Sequence, residues 1–200
     1  MKRFLFVLSL LFAVSFSWGQ SANNAKAILD KTAAKLYNKG GVKANFRMSG
    51  KYGNASGSIA VKGNKFFAST PVSMVWYDGK TQWTYMKKTQ EVNVSTPTEA
   101  QQQSMNPYKF LNIYKNGYKM NVKSIGSGWQ VHLIASNKSR SIKEMYVEVT
   151  KNYTLKTVKM RQSGGWSTIT VSNLNKASLA DSQFRFNSKD YPNAEIIDLR

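Results

Sequence analysis

Cysteine is absent from this 200-residue chain, and histidine occurs only once, at His132. Without cysteine the chain has neither a disulfide nor an N-terminal cysteine that could be acylated, so it is not itself a lipoprotein. A lone histidine in the middle of a predicted strand has no second histidine or cysteine with which to hold a transition metal. We therefore expect no metal site and no cofactor.

Acidic residues are also few, with ten Asp and Glu against 29 Lys and Arg. Glu144 and Glu148 share one strand face, but their spacing suits surface neighbours of lysine at least as well as a general acid and base. The chain contains neither a Gly-x-Ser-x-Gly elbow nor a phosphate-binding loop. The sequence therefore predicts no catalytic residues and a protein that is not an enzyme.

Long apolar runs are limited to residues 4–16, which follow Lys2 and Arg3 and precede the small residues Ser17 and Gly19. This order is typical of a secretory signal peptide. We expect cleavage near Gly19-Gln20, a signal peptide over 1–19, and a single mature domain over 20–200 that is soluble in the periplasm. A retained N-terminal anchor is the alternative. No later segment approaches the twenty or so apolar residues of a spanning helix.

The net charge of +19 indicates an anionic partner or a solvated basic surface. Lysines are spread along the chain and fall on the polar phase of alternating segments, as in residues 119–123 and 156–160. A solvated outer sheet face is one interpretation, and contact with anionic membrane lipid or an acidic protein is the other. Export argues against nucleic acid as a partner.

Apolar residues at helical spacing predict an opening helix over 21–39, which Gly40-Gly41 ends. From Val42 the period changes to two, and about eleven strands follow within 42–95 and 118–174. Their short connections require antiparallel neighbours. Residues 177–186 are interpreted as a turn with a short strand, and 195–199 as an additional last strand.

Residues 98–115 interrupt the strands with a helical insertion, whose Thr98-x-x-Gln101 can form a capping box. Such an insertion either plugs a sheet or covers a cavity. The fold class that follows is mainly β: a strongly curved antiparallel sheet forming an incomplete barrel, covered by the N-terminal helix and the mid-chain insertion.

Residues 72–95 predict a β-hairpin around Asp78-Gly79, a favoured pair for a two-residue type I′ turn. Alternation places Met74 and Trp76 on one face of the first strand, and Trp83 and Tyr85 on one face of the second. An apolar cover is therefore required on that face. Ordinary protein core and a ligand cavity both satisfy this requirement.

The same hairpin resembles that of LolA-type periplasmic lipoprotein carriers, through Asp78-Gly79-Lys80-Thr81-Gln82-Trp83-Thr84-Tyr85. The agreement extends to Phe46, to residues 57–62, to Asn106-Pro107-Tyr108 with Phe110-Leu111, and to Phe184-Arg185-Phe186. It covers most of the mature chain. One departure concerns the family's Arg-Pro after the second strand, which is Gly63-Asn64 here. The arginine thought to latch the family's lid helices is therefore absent.

The resemblance implies a monomeric carrier that binds acyl chains of lipoproteins or related lipids in an apolar cavity, without covalent chemistry. It further implies an inner-membrane lipoprotein-releasing transporter as donor and an outer-membrane acceptor. Large apolar residues on strand faces are the cavity candidates: Phe46, Met48, Ile59, Val61, Phe66, Met74, Trp76, Trp83, Tyr85, Val131, Leu133 and Met145. Lid candidates are Ile28, Leu29, Leu36, Tyr108, Phe110 and Leu111. The alternatives are a periplasmic sensor or interaction module that uses the same cavity, and a sealed domain without a ligand.

Overall fold

A computed structural model describes residues 17–50, 53–99, 101–102 and 112–200. These residues include the α-helix α1 (Ser17–Leu36), twelve strands and three short 3₁₀ helices at Ile113–Lys115, Asp181–Phe184 and Ser188–Asp190. Glu99, Gln101 and Gln102 are also α-helical. The strands are β1 (Val42–Gly50), β2 (Ala55–Lys62), β3 (Lys65–Ser69), β4 (Ser73–Tyr77), β5 (Gln82–Met86), β6 (Glu91–Ser95), β7 (Tyr118–Ile125), β8 (Gly128–Ala135), β9 (Glu144–Thr150), β10 (Leu155–Gln162), β11 (Gly165–Lys176) and β12 (Glu195–Asp198).

All twelve strands belong to one curved, open sheet in the order β12-β6-β5-β4-β3-β2-β1-β11-β10-β9-β8-β7. Two antiparallel meanders, β1–β6 and β7–β11, meet where β1 pairs with β11. The predicted mainly β fold with a curved, incomplete barrel is confirmed. The last strand pairs with β6 in parallel, which the short-connection argument did not predict. Because β6 and β12 are not consecutive in the chain, the antiparallel requirement of short connections does not apply to this pair.

Helix α1 covers the inner face of the sheet at β7–β10. Ala25, Ile28 and Leu29 of the helix join a buried cluster with strand side chains such as Val131 and Leu133, which are both 0% exposed. The helix begins and ends earlier than the predicted 21–39. It stops before Gly41, whose φ of 97° and close approach to Leu179 and to the Val61 carbonyl exclude a side chain. No helix in the described ranges is long and apolar enough to cross a membrane.

The outer face of β3–β5 is covered by the segment that follows β11. Phe186 and Tyr191 pack edge-on against Trp76, with ring centroids 5.5 and 5.7 Å away, and Phe184 is fully buried. The short strand expected within 177–186 is wrong, because Asp181–Phe184 forms a 3₁₀ helix instead. This segment gives the sheet a second apolar layer, on the face opposite α1.

The β4–β5 hairpin exists, but its turn differs from the predicted type I′. Tyr77 pairs with Gln82, so the connection has four residues, 78–81, and of the Asp78-Gly79 pair only Gly79 has positive φ. The Asp78 carboxylate accepts hydrogen bonds from the backbone N–H groups of Lys80 and Thr81, at 3.0 and 2.9 Å. Because this side chain organises the loop, Asp78 does not need the left-handed conformation that type I′ requires.

The start of the mid-chain insertion has the predicted capping box. The backbone N–H of Thr98 donates to Gln101 Oε1 at 2.8 Å, and the backbone N–H of Gln101 donates to Thr98 Oγ1 at 3.3 Å. At its end, Tyr114 donates a hydrogen bond of 2.5 Å to Asp30 of α1. The lid candidates Tyr108, Phe110 and Leu111 lie outside the described residues.

Candidate functional site

An apolar groove of about 450 Å³ lies on the inner face of the sheet, beside the half that α1 covers. Strands β10, β11, β1, β2, β3 and β4 form it, and Leu36 at the end of α1 reaches its edge. The apolar lining consists of Leu36, Val42, Ala44, Phe46, Met48, Ala55, Ile59, Val61, Phe66, Ala68, Val72, Val75, Leu155, Val158, Ile169, Val171 and Leu174. The polar lining residues are Thr70 and Ser73.

Small side chains leave this space open. Ala68 faces Ile59 on β2 and Val75 on β4, and Ala44 also faces Ile59. Ala55 lies opposite Met48. These three alanines, on the adjacent strands β1, β2 and β3, do not fill the volume that larger residues would fill in a close-packed core.

The groove has a closed end and an open end. At the closed end Val42, Val61 and Phe66 are 4%, 8% and 4% exposed. Along β1 burial falls from Val42 toward Met48, and at the open end Val72 is 65% exposed. Since a strand rises by about 3.3 Å per residue, residues 42–48 span about 20 Å. The space is therefore an elongated slot that opens at one end.

Five predicted cavity residues line this groove together: Phe46, Met48, Ile59, Val61 and Phe66. Of the predicted lid residues, Leu36 lines it as well. Ile28 and Leu29 pack instead into the closed core under α1, and so do the predicted cavity residues Val131, Leu133 and Met145, which are at most 2% exposed.

The hairpin residues Met74, Trp76, Trp83 and Tyr85 share one face, as predicted, but it is the outer face. Met74 pairs with Tyr85 and Trp76 with Trp83, whereas the alternate residues Val75 and Tyr77 point toward the groove and its closed end. Tyr191 contacts Tyr85 at 4.7 Å between ring centroids. The expectation that these four share a cavity with Phe46 is therefore corrected. Met74, Trp76 and Tyr85 contact the segment after β11.

Sequence reasoning missed the alanines and the far wall of the groove, formed by Leu155, Val158, Ile169, Val171 and Leu174. The signal for the wall was present, because Ile169 and Val171 alternate with threonine and serine along β11. The small residues carried no signal of their own, since alanine on a strand face is also common in closed cores.

Charged groups gather on the outer face rather than in the groove. His132 Nε2 lies 2.9 Å from Glu144, Arg161 lies 3.1 Å from it, and Tyr146 stacks on His132. Partial burial opposes ionisation of Glu144, but hydrogen bonds from His132 and Tyr146 and the charge of Arg161 outweigh it and lower its pKa. Within the described ranges no three His, Asp or Glu side chains come together as a metal site would require. This network is a surface ion cluster.

Comparisons with known proteins agree with this architecture. The sequence model of one family, described as outer membrane lipoprotein carrier protein LolA, matches residues 15–164. That range is three quarters of the chain, and it confirms the resemblance drawn from the hairpin and its flanking motifs. Among curated protein sequences no relative matches.

Several solved structures match this chain at low sequence identity. An uncharacterised conserved protein from Thermus thermophilus is 12% identical, with a TM-score of 0.59, and the alignment covers 88% of this chain and 99% of that one. A LolA superfamily protein from Nitrosomonas europaea is 12% identical, with a TM-score of 0.45 and coverage of 81% and 97%. The lipoprotein LppX from Mycobacterium tuberculosis is 11% identical, with a TM-score of 0.49 and coverage of 78% and 97%.

Proposed function

Because this chain belongs to the LolA family of outer membrane lipoprotein carrier proteins, we propose that it binds acyl chains of lipoproteins or related lipids in the groove and carries them from the inner to the outer membrane. The observation that carries the proposal is the apolar slot on the inner face, which α1 leaves uncovered. A volume of about 450 Å³ is in the ordinary range of ligand sites.

The energetic need for such a carrier follows from the cargo. Each buried methylene is worth about 0.8 kcal/mol, so moving a chain of roughly sixteen carbons through water is opposed by on the order of 10 kcal/mol. An apolar groove replaces that water along the acyl chain. Release then requires only that a membrane or an acceptor offers an equally apolar environment.

The lining also favours binding over chemistry. Its two hydroxyl side chains, Thr70 and Ser73, lie 3.1 Å from each other, and Thr70 Oγ1 accepts hydrogen bonds from the backbone N–H groups of Val72 and Ser73. These oxygens are engaged in the turn between β3 and β4. The described lining residues include no acid or base that could activate these hydroxyls. The proposed binding of the cargo is therefore non-covalent.

The proposal includes the route implied by the family. After removal of residues 1–19 the protein is periplasmic, receives cargo from an inner-membrane transporter and delivers it to an outer-membrane acceptor as a monomer. Loss of Lys2 and Arg3 with residues 1–19 lowers the net charge from +19 to about +17, which still favours encounters with anionic headgroups or an acidic partner.

The test combines native mass spectrometry with lipid extraction from vesicles. The wild-type protein should retain lipid through purification and should remove acylated lipoprotein or phospholipid from vesicles. Val171→Asp places a charge in the groove and should abolish both. Thr170→Asp, its neighbour on the outer face of β11, should abolish neither.

Circular dichroism of both variants separates loss of binding from loss of fold. Wild-type protein that carries no lipid and extracts none would overturn the proposal. Stable capture of a defined periplasmic protein by that lipid-free form would favour the sensor or interaction module instead.

A further inference from the structure

The two ends of the groove differ in polarity as well as in burial. At the closed end Val42, Val61, Phe66 and Tyr77 form a buried cluster. At the open end the lining changes to Thr70, Val72 and Ser73, the residues of the β3–β4 turn. An amphiphile that enters this slot therefore meets hydrocarbon at one end and polar groups with solvent at the other.

A lysine is held at the open end by two hydrogen bonds to groove-lining residues. The Lys87 ammonium donates to the carbonyl oxygen of Thr70 at 2.6 Å, and the Lys87 backbone N–H donates to the carbonyl of Val72 at 3.0 Å. The ammonium has three donors, so two stay available beyond the bond to Thr70. A positive charge is thus placed where the slot meets solvent.

No carboxylate contacts the Lys87 ammonium within the described ranges. Glu91 pairs with Met86, the residue before Lys87. Its carboxylate accepts a hydrogen bond from Thr89 at 3.0 Å. Among the described residues, none therefore forms an ion pair with the charge at the open end.

We propose that the groove selects an anionic amphiphile, with the acyl chain toward Val42 and Phe66 and the carboxylate or phosphate of the headgroup at Lys87. This inference rests on the proposed function, because it assumes that acyl chains occupy the groove. The opposite orientation would bury the anion among valine and phenylalanine side chains without a hydrogen-bond partner, which is strongly unfavourable.

A matched pair of fluorescent probes tests the headgroup. The probes are cis-parinaric acid, which carries a carboxylate, and its methyl ester, which has the same chain without the charge. Wild-type protein should bind the acid more tightly than the ester. Lys87→Gln should weaken acid binding about threefold and Lys87→Glu about tenfold, with the ester unchanged, as expected for loss and reversal of a partly exposed charge contact.

Two further variants serve as controls. Lys87→Arg keeps the charge and should keep the preference for the acid. Lys88→Glu makes the same charge change on the neighbouring exposed residue and should have a much smaller effect. Equal binding of acid and ester by the wild type, or equal effects of Lys87→Glu and Lys88→Glu, would overturn the inference. If neither probe binds, the proposed function fails instead.

The orientation has its own test. A fatty acid with a diazirine at its terminal carbon is bound, irradiated and mapped by peptide mass spectrometry. Crosslinks should fall at residues 42–46 and 61–66, near the closed end. Crosslinks concentrated at residues 70–75 would contradict the proposed orientation while leaving acyl binding itself intact.

Discussion

Substitution of Ala68 by phenylalanine tests whether the groove is open in the folded protein. Ala68 lies in the middle of the groove, between Ile59 and Val75 on the neighbouring strands. A phenyl ring at this position projects into the slot. Full burial of a phenylalanine side chain is worth about 1.5–3 kcal/mol, so a half-enclosed ring should raise the free energy of unfolding by about 1 kcal/mol.

The same ring should obstruct the ligand. If it excludes about four methylenes of an acyl chain, at about 0.8 kcal/mol each, binding weakens by about 3 kcal/mol, or about 100-fold. Urea unfolding gives the stability, and titration with cis-parinaric acid gives the affinity. Greater stability combined with weaker binding is the expected pair of results.

The control is Ser56→Phe, which adds a ring to the exposed outer face of β2. Its free energy of unfolding should change by no more than about 0.5 kcal/mol, and its affinity should not change. The reasoning is refuted if Ala68→Phe destabilises the protein by about 1–3 kcal/mol, as overpacking of a filled core does. It is also refuted if the variant binds the probe as tightly as the wild type.

Three other predictions concern the covered parts of the fold. Leu133→Ala, in the fully buried half under α1, should lower the free energy of unfolding by about 3 kcal/mol in urea. Val75→Ala, in the groove, should lower it by less than about 1 kcal/mol. Equal losses would contradict the division of the inner face into a packed half and an open groove. Tyr191→Ala removes ring contacts to Trp76, Tyr85 and Phe186 and should lower the free energy of unfolding by about 2 kcal/mol in the same assay. Lipid binding should not change, because these contacts lie on the outer face. Weakened binding at full stability would contradict this. Burial opposes ionisation of the Asp30 carboxyl, but hydrogen bonds from Lys26 and Tyr114 outweigh it and lower its pKa below the ordinary 3.8. The ionised carboxylate therefore stabilises the folded protein above pH 3.8, and this stabilisation is lost as the pH falls through the folded pKa. Asp30→Asn should therefore be less stable than wild type at pH 7 by chemical denaturation, with a gap that narrows under acid; a gap that does not depend on pH would count against the ion pair.

Local patterns in the sequence predict most of the fold. Alternation from Val42 onward, interrupted by glycine and asparagine, predicts the two meanders, and the helical spacing before Gly40 predicts α1. These features depend on neighbours within a few residues. The parallel pairing of β12 with β6 joins Glu195 to Glu91. Such a contact across about one hundred residues leaves no trace in local periodicity, so the edge of the sheet could not be derived.

The site is predicted less well, for two physical reasons. Alternation assigns residues to a common face but does not say which face is inner. Around Trp76 both faces are apolar, because the groove lies on one side and the segment after β11 on the other. The aromatic residues Phe184, Phe186 and Tyr191, in an otherwise polar segment, were the available signal that a second apolar face existed. In addition, the cavity candidates were chosen because they are large and apolar, whereas the groove is open because of small residues such as Ala68.

The open half of the inner face follows from the dimensions of the elements. A helix with its side chains is about 10 Å wide and strands lie about 4.8 Å apart, so a single helix directly covers two or three strands of a sheet. Large side chains such as Leu133 and Met145 extend the packed region under α1 across β7–β10. The sheet has twelve strands, and beyond β10 the helix contributes Leu36, at its end, to the edge of the groove. Apolar side chains on β11 and β1–β4 are therefore left largely uncovered by the helix. Under the proposed function the acyl chain of the cargo covers them, and such binding is strong in water and weak at a membrane.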